Sequence, residues 1–418
     1  MNFIKEIFKP SNKDVKKRII FTLGALFIFI LGIAIRVPGT RDISIYLGDL
    51  EMLDAISGGA LKQFSIFALG VTPYISSSIA ISLGSEFIPY LSDLRDQGNK
   101  GRAKINRISR YLAILIAFIQ GYVLSFTFIG NGATAIDYLF IATILTAGTA
   151  FLLWLGDQIT EKGIGNGVSL IIMAGIVYTL PNMFVSAFNE LVKFDTIQTT
   201  FIGSISFLIF ILVYLAVIVG IIYVQTAERR LPIQHANKTS SAYGNTKNYM
   251  PIKLNAAGVM PVIIASVLIG VISFIAKVVK NDSFINFVNS YLKYNTITGF
   301  IIYAILIIVF TYFMTYIQLR PEKIAENLKE SGGYIPGIRP GKETETYVGK
   351  VISRITIVGA LFLIAIVGMP ILFANFTNLP ANVSIGGTGL LIAIGVSLEI
   401  YKQLEGIFAS RSFYSGRH

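Results

Sequence analysis

The chain has 418 residues, 54% of them hydrophobic and only 14% charged, with a mean hydropathy of +0.68. Soluble domains carry about 25% charged residues, so this chain lacks the charge to cover a water-facing surface and lipid is the expected solvent for most of it. An excess of 35 Lys and Arg over 23 Asp and Glu gives a net charge of +12, which on a soluble protein would point to nucleic acid and here must first be tested against the positive-inside rule. With no cysteine, disulfides, thiolate chemistry and Cys-held metal or iron-sulfur centres are excluded, and the two histidines, His235 and His418, lie too far apart to suggest a metal site.

In chain order, residues 1–18 form a basic cytoplasmic leader whose Phe3, Ile4, Ile7 and Phe8 give it an amphipathic, membrane-surface character. The apolar run after it has no A-x-A cleavage site and is followed by many more such runs, so it reads as a first transmembrane helix and not as a secretory signal. Crossing about 30 Å of hydrocarbon takes roughly 20 apolar residues. Segments 19–36, 66–90, 109–129, 137–157, 167–187, 203–226, 256–279, 298–318, 351–373 and 385–404 qualify. The fold class is thus an all-α polytopic membrane protein with ten transmembrane helices.

A cytoplasmic N-terminus places about four-fifths of the Lys and Arg residues on the cytoplasmic side, each counted with its nearest loop, in or beside residues 1–18, 91–108, 158–166, 227–255, 319–350 and the tail. The positive charge is therefore mainly a topology signal. Loops 227–255 and 319–350 are longer than a helix connection requires, so they read either as solvated positive-inside segments or as a docking surface for a large cytoplasmic partner. Residues 37–65 hold Asp42, Asp49, Glu51 and Asp54, then a weakly apolar stretch too short to span; it is either a half-helix folding back into the protein or a surface loop. Ten spans divide into five and five, 19–187 and 203–404 about an external connection at 188–202, with a tail at 405–418. Five being odd, the second set enters from the opposite side, as an inverted repeat does. Spans 66–90 and 256–279 both open near a proline, Pro73 and Pro261.

Few charges fall inside the spans. Asp137, Asp157, Glu161, Glu190 and Glu399 sit at predicted ends, where capping or snorkelling explains them, whereas ion-coupled carriers keep ionisable residues at membrane depth. No membrane aspartate pair, Ser with His or Lys, or H-E-x-x-H motif provides a catalytic centre, and no cofactor is implied. Gly163 to Gly167 lacks the Lys-Ser/Thr of a phosphate loop and reads as a tight turn with Asn166 capping the next helix. Ile75 and Ile79, and Ile172 and Ile176, are one helical turn apart, a spacing that ordinary packing produces as readily as a pore lining. At this level a channel, a small-solute carrier and an insertase without a continuous pore all fit.

Longer motifs separate them. They are Ser57-Gly58-Gly59-Ala60-Leu61, SIFALGVTPYIS over 65–76, GIGNG over 163–167, QTAERRLPIQ over 225–234, NAAGVMP over 255–261, AENLK over 325–329 and GYIPGIRPG over 333–341. In this order, and across essentially the whole chain, they resemble the SecY family, the channel-forming subunits of the bacterial protein translocase. The resemblance implies an hourglass of two inverted five-helix halves in the bacterial plasma membrane, with both termini cytoplasmic. A half-helix over 52–64, including Ser57, Gly58, Gly59, Ala60 and Leu61, would plug the external funnel. Ile75, Ile79, Ile172, Ile176, Ile263 and Ile392 would form an apolar ring, which resists ion leak by dewetting.

The same resemblance implies a lateral gate between the second and seventh spans. There Thr72, Ser76, Ser77, Ser78 and Asn255 would supply polar contacts holding it shut, and signal sequences and membrane segments would leave for the membrane lipids. Arg229, Arg230 and Arg339 would receive the ribosome or the ATPase SecA, and SecE and SecG-like small membrane subunits would complete the complex around the translocating polypeptide. Two stretches depart from the pattern: Lys238 to Asn248 lacks a dense basic cluster, and Ala80 to Gly84 is smaller and more polar than the usual run.

Overall fold

Apolar side chains at helical spacing point outward over much of the molecule, the reverse of a water-soluble fold. The computed structural model describes residues 13–38, 54, 56–128, 134–194, 196–235, 249–279, 281–292, 296–377 and 381–415. Residues 1–12 of the amphipathic leader, Asp42, Asp49, Glu51, the first residues of the 52–64 segment and the Lys238–Asn248 stretch lie outside the described residues, while 13–18 form the start of the first helix. The helices are α1 (Lys13–Ile33), α2 (Thr72–Phe87), α3 (Pro89–Asp96), α4 (Asn99–Phe128), α5 (Ala135–Lys162), α6 (Gly167–Leu191) and α7 (Ile197–Thr226). After them come α8 (Met260–Val279), α9 (Asp282–Tyr291), α10 (Ile297–Leu319), α11 (Pro321–Glu330), α12 (Lys342–Thr377) and α13 (Ala381–Ser415).

Leu208, Leu212, Leu215 and Val219 form one stripe of α7, each more than half exposed, and Ile20, Leu23, Phe27 and Leu31 do the same on α1. Continuous stripes of this kind are stable against lipid or an apolar partner and not against water. Among the described residues, six helices are long and apolar enough to cross a membrane: α4, α5, α6, α7, α10 and α12. The chain is a multi-pass, all-α membrane protein.

Two expected spans, 66–90 and 256–279, become helical later in the chain than hydropathy places them. Residues 66–71 are not helical but a succession of turns, with Ala68 N–H donating to the Ser65 carbonyl at 2.9 Å and Gly70 N–H to that of Phe67 at 2.7 Å. Helix α2 starts only where Pro73 enters its first turn and ends before Pro89, which opens α3. Proline lacks the N–H that a first turn leaves unpaired anyway, so it favours helix starts. At 16 residues α2 is about 24 Å long, short of a full crossing. Pro261 likewise sits in the first turn of α8.

Small residues bring helices together. A Cβ on Gly167 would strike the Gly156 carbonyl, so α5 and α6 meet backbone to backbone. Asn166 caps α6, its side-chain oxygen accepting from Val168 N–H at 3.1 Å and Ser169 N–H at 3.4 Å. Asp137 caps α5 by accepting from Thr134 N–H at 2.8 Å, and Asp157 on α5 pairs with Arg110 on α4 at 2.5 Å.

The long loops carry structure of their own. Strands β1 (Glu228–Pro232) and β3 (Tyr249–Lys253) pair antiparallel, with Arg229 opposite Ile252, and β2 (Gln234–His235) pairs with β4 (Gly333–Tyr334). That second pairing joins loop 227–255 to loop 319–350. Leu231, Ile252, Ile335, Val348 and Ile352 form a small core beneath them.

Gly167→Val is expected to lower the melting temperature in detergent, because overpacking a filled contact costs about 1–3 kcal/mol. Thermal unfolding followed by circular dichroism checks this, and an unchanged midpoint would show that α5 and α6 separate easily.

Candidate functional site

Four helices each deliver isoleucine to the centre of the molecule. Ile75 on α2, Ile172 and Ile176 on α6, Ile263 on α8 and Ile392 on α13 are all buried and share one apolar cluster. Above them opens a vestibule of about 1710 Å³ with Ile75, Ile172, Ile263 and Ile392 among its lining residues. Its walls carry the polar and charged groups Asn166, Gln225, Lys253, Glu399 and Lys402. Water therefore reaches an apolar floor, where dewetting opposes ion passage. Ile176 lies one turn away on α6, against Gly389. Ile79 departs from the group: half-buried on the rim, it lines a lateral crevice instead of the vestibule.

That crevice, of about 1270 Å³, separates α2 and α4 from α8 and α10 and is walled by Ile79, Leu83, Ile116, Val267, Leu268 and Phe310 among others. A smaller hollow of about 540 Å³ adjoins it, where Leu61 meets Thr72, Ser76, Gln120 and Val267. The polar closing contacts expected of this region take a different form. Ser77 donates to the Ser109 carbonyl of α4 at 2.6 Å, Ser76 to the Thr72 carbonyl at 3.2 Å, and Asn255 to the Gly258 carbonyl at 3.0 Å. Each bond stays on one side of the crevice. Ser78 and Asn255 line the vestibule, and across the crevice Ile79 packs near Ile264, Phe310 and Met314. Apolar contact spans the crevice because these polar groups are satisfied on their own side, Ser76 at the carbonyl one turn back and Ser77 at α4.

Beneath the isoleucines sits the 56–64 segment. Ile56 and Ala60 join the same central cluster, with Phe67 and Ile33. Gly58 and Gly59 adopt φ of +76° and +79°, a left-handed conformation that glycine takes without strain. A Cβ on Gly58 would come within 2.9 Å of Gly175 Cα on α6, and one on Gly175 within 3.0 Å of the Gly58 nitrogen. Ser57 is buried and donates to the Asp54 carbonyl at 2.9 Å. The Asp54 carboxylate accepts from Lys62 N–H at 2.7 Å, yet burial outweighs this bond and the nearby Lys62 charge and pushes its pKa up to about 6.

On the opposite face, Arg229, Arg230 and Arg339 are exposed. Arg230 lies 4.6 Å over the Tyr249 ring and donates to Glu228 at 3.1 Å, which fixes the direction of its guanidinium. Among the described residues no cluster of three metal-ligating side chains occurs.

A SecY family profile matches residues 65–401. The chain belongs to the SecY family. A SecY protein translocase subunit of Halalkalibacterium halodurans is 42% identical over 425 residues, covering 98% of each chain, and one of Staphylococcus aureus is 42% identical over 428 residues, covering 97% of each. A solved structure of a protein-conducting channel superposes with a TM-score of 0.64 at 19% identity, covering 93% of this chain and 92% of that one. A canine Sec61 structure in a ribosome-channel complex gives the same TM-score and coverage. At that identity the likeness concerns fold. As a SecY protein the chain is a protein-conducting channel.

Sequence reasoning missed three features of this SecY chain. Gly175 receives the 56–64 segment, Val267 lies between the central cluster and the crevice, and Gln120 supplies a polar group to the crevice wall. Gln120 was visible in principle as the one amide in the apolar stretch of α4. Gly175 was not, since its partner is about 120 residues away in the chain.

Gly175→Val is expected to displace the 56–64 segment and raise ion leak across proteoliposomes at least several-fold, with an unchanged leak counting against a seat at Gly175. Because the seated Asp54 has a raised pKa, seating binds protons. It is most favourable below about pH 4, weakens as pH rises through about 6, and carries its full penalty above that. Thiol labelling of Ser57→Cys should therefore run faster at about pH 7.5 than at about pH 5 after correction for thiolate fraction, and Asp54→Asn should abolish the difference.

Proposed function

We propose that the central isoleucines are the constriction through which this channel passes unfolded polypeptides, within ten membrane spans arranged as two inverted five-helix halves, 19–187 and 203–404, that form an hourglass. The observation that carries the reading is the convergence of Ile75, Ile172, Ile263 and Ile392, from four separate helices, on the floor of a water-accessible vestibule. Branched apolar side chains offer a passing chain no fixed hydrogen-bond partner. The ring thus yields to many sequences and closes again by apolar contact. Ile176 completes it, and Ile79 stands at its rim facing the crevice.

The 52–64 segment is the plug below the ring, a reading supported by the burial of Ser57, Ala60 and Leu61 and by the contact of Gly58 with Gly175. The crevice between α2 and α8 is the lateral gate, with Ser76 on its wall, Thr72 in the adjoining hollow, Ser77 tying α2 to α4, and Ser78 and Asn255 facing the vestibule. An apolar signal sequence or membrane segment entering it gains roughly 0.8 kcal/mol per buried CH₂ on passing to lipid. Loops 227–255 and 319–350, joined by strand pairing, act as one docking surface, where Arg229, Arg230 and Arg339 offer bidentate partners to phosphate or carboxylate groups of a ribosome or of SecA. SecE and SecG-like subunits cover part of the exposed apolar exterior. The docking face and both termini lie on the cytoplasmic side of a bacterial plasma membrane, a reading supported by the concentration of Lys and Arg on that side.

A photo-reactive residue placed at Ile172 or Ile263 should cross-link to a stalled secretory chain, and one at Leu212 on the outer face of α7 should not. Ile172→Ser combined with Ile263→Ser should raise resting ion conductance about tenfold or more, given that each exchange puts a hydrated hydroxyl where a dewetted contact stood. Conductance at the parent level in correctly inserted protein would remove these residues from the constriction.

A further inference from the structure

A continuous set of polar contacts links the two walls of the crevice without passing through it. On one side, Arg95 of α3 donates through Nη1 to Ser85 Oγ at 3.1 Å and to Glu86 Oε1 at 2.5 Å, both on the last turn of α2. The next residue, Asp96, then reaches across. Its Oδ1 accepts from Arg320 Nη1 at 2.9 Å and from Lys323 Nζ at 2.6 Å. Arg320 ends α10 and starts α11, and α10 is tied to α8 by a buried hydrogen bond of 2.7 Å between Ser266 and Tyr303. The path therefore runs α2, Arg95, Asp96, Arg320, α10 and α8.

The backbone at Arg320 makes this junction specific. Its φ of +35° is left-handed, which a residue with a Cβ adopts only when its surroundings enforce it. Arg320 N–H donates to the Tyr316 carbonyl at 3.1 Å while its own carbonyl accepts from Ile324 N–H at 3.2 Å, so one residue serves both helices. Pro321 stiffens the same joint. Arg320 thus leaves α10 in a direction set by the bend, and that direction leads to Asp96.

We propose that Asp96 is a positioning residue for gating: through Arg320 and Lys323 it holds the cytoplasmic end of α10 against α3 and thereby keeps α2 and α8 apposed at rest. The inference rests on the reading of the crevice as the lateral gate. A carboxylate shared by two cations and partly open to solvent makes a weak latch, which suits a gate that an incoming segment must open. Such pairs are worth little singly and are screened by salt, so the latch predicts a gate that loosens as ionic strength rises.

The chain has no native cysteine, so Val267→Cys, at a position that is buried in the crevice, reports gate opening through its rate of modification by a bulky thiol reagent. In vesicles containing the full complex, adding Asp96→Asn is expected to raise that rate about two- to fivefold at about 50 mM salt. The parent rate should climb toward the same value at about 500 mM salt, and the variant should respond little to salt. Asp96→Arg with Arg320→Asp and Lys323→Asp should bring the rate back toward the parent's, since aspartate tolerates the left-handed backbone at 320. A signal-bearing polypeptide added to the parent provides the separate control. If it accelerates modification while Asp96→Asn leaves both rate and salt response unchanged, the latch is overturned and the gate reading stands; if it has no effect on the parent, the gate reading falls and the latch with it.

Discussion

Lipid supplies no hydrogen bonds, so every backbone N–H and C=O at membrane depth must find its partner within the protein. Helices meet that demand on their own. The segment between α1 and α2 does not, and its turns are satisfied piece by piece. Val37 N–H donates to the Phe64 carbonyl and Ile66 N–H to that of Ile35, both at 3.0 Å, making a bridge between Arg36 and Ser65. Thr149 of α5 donates to the Gly70 carbonyl at 3.3 Å. Among the described residues of this segment, the non-helical backbone thus finds its partners within the protein.

The same constraint sets the character of the centre. A polar constriction would bind water, ions or passing peptide groups, whereas an isoleucine floor binds none of them strongly. The molecule keeps its charge at the rims, in Lys253, Glu399 and Lys402 around the vestibule and in the arginines of the paired loops. In the proposed channel, closure depends on apolar contact at the ring, glycine-to-glycine approach at the 56–64 segment and polar ties at the cytoplasmic ends of the helices. Each is a sum of small terms, so each is reversible at a modest cost.

Helix length tells the same story. Most spans are continuous over 20 to 36 residues, but α2 has only 16 and starts from turns. This short helix, bounded by Pro73 and Pro89, borders the vestibule, the crevice and the hollow beside Leu61 together, as α8 does from the other side. Sequence hydropathy merged turns and helix into one span, since Ile66 to Val71 is as apolar as the helix after it. Hydropathy measures solvent preference and is blind to the direction of the backbone.

The sequence by itself determined the solvent, the approximate places of the helices, the charge asymmetry and, through its ordered motifs, the family; these depend on composition and on neighbours close in the chain. It also named the isoleucines on α2, α6, α8 and α13, although only as residues carried over by resemblance. Tertiary structure alone decided that five of them converge while Ile79 turns to the crevice, that Ser77 bonds to Ser109 on its own side, that Gly175 receives Gly58, and that Asp96 meets Arg320. The reason is geometric: each of these contacts joins residues tens to hundreds of positions apart, and helical periodicity fixes which face a side chain occupies without fixing what that face meets.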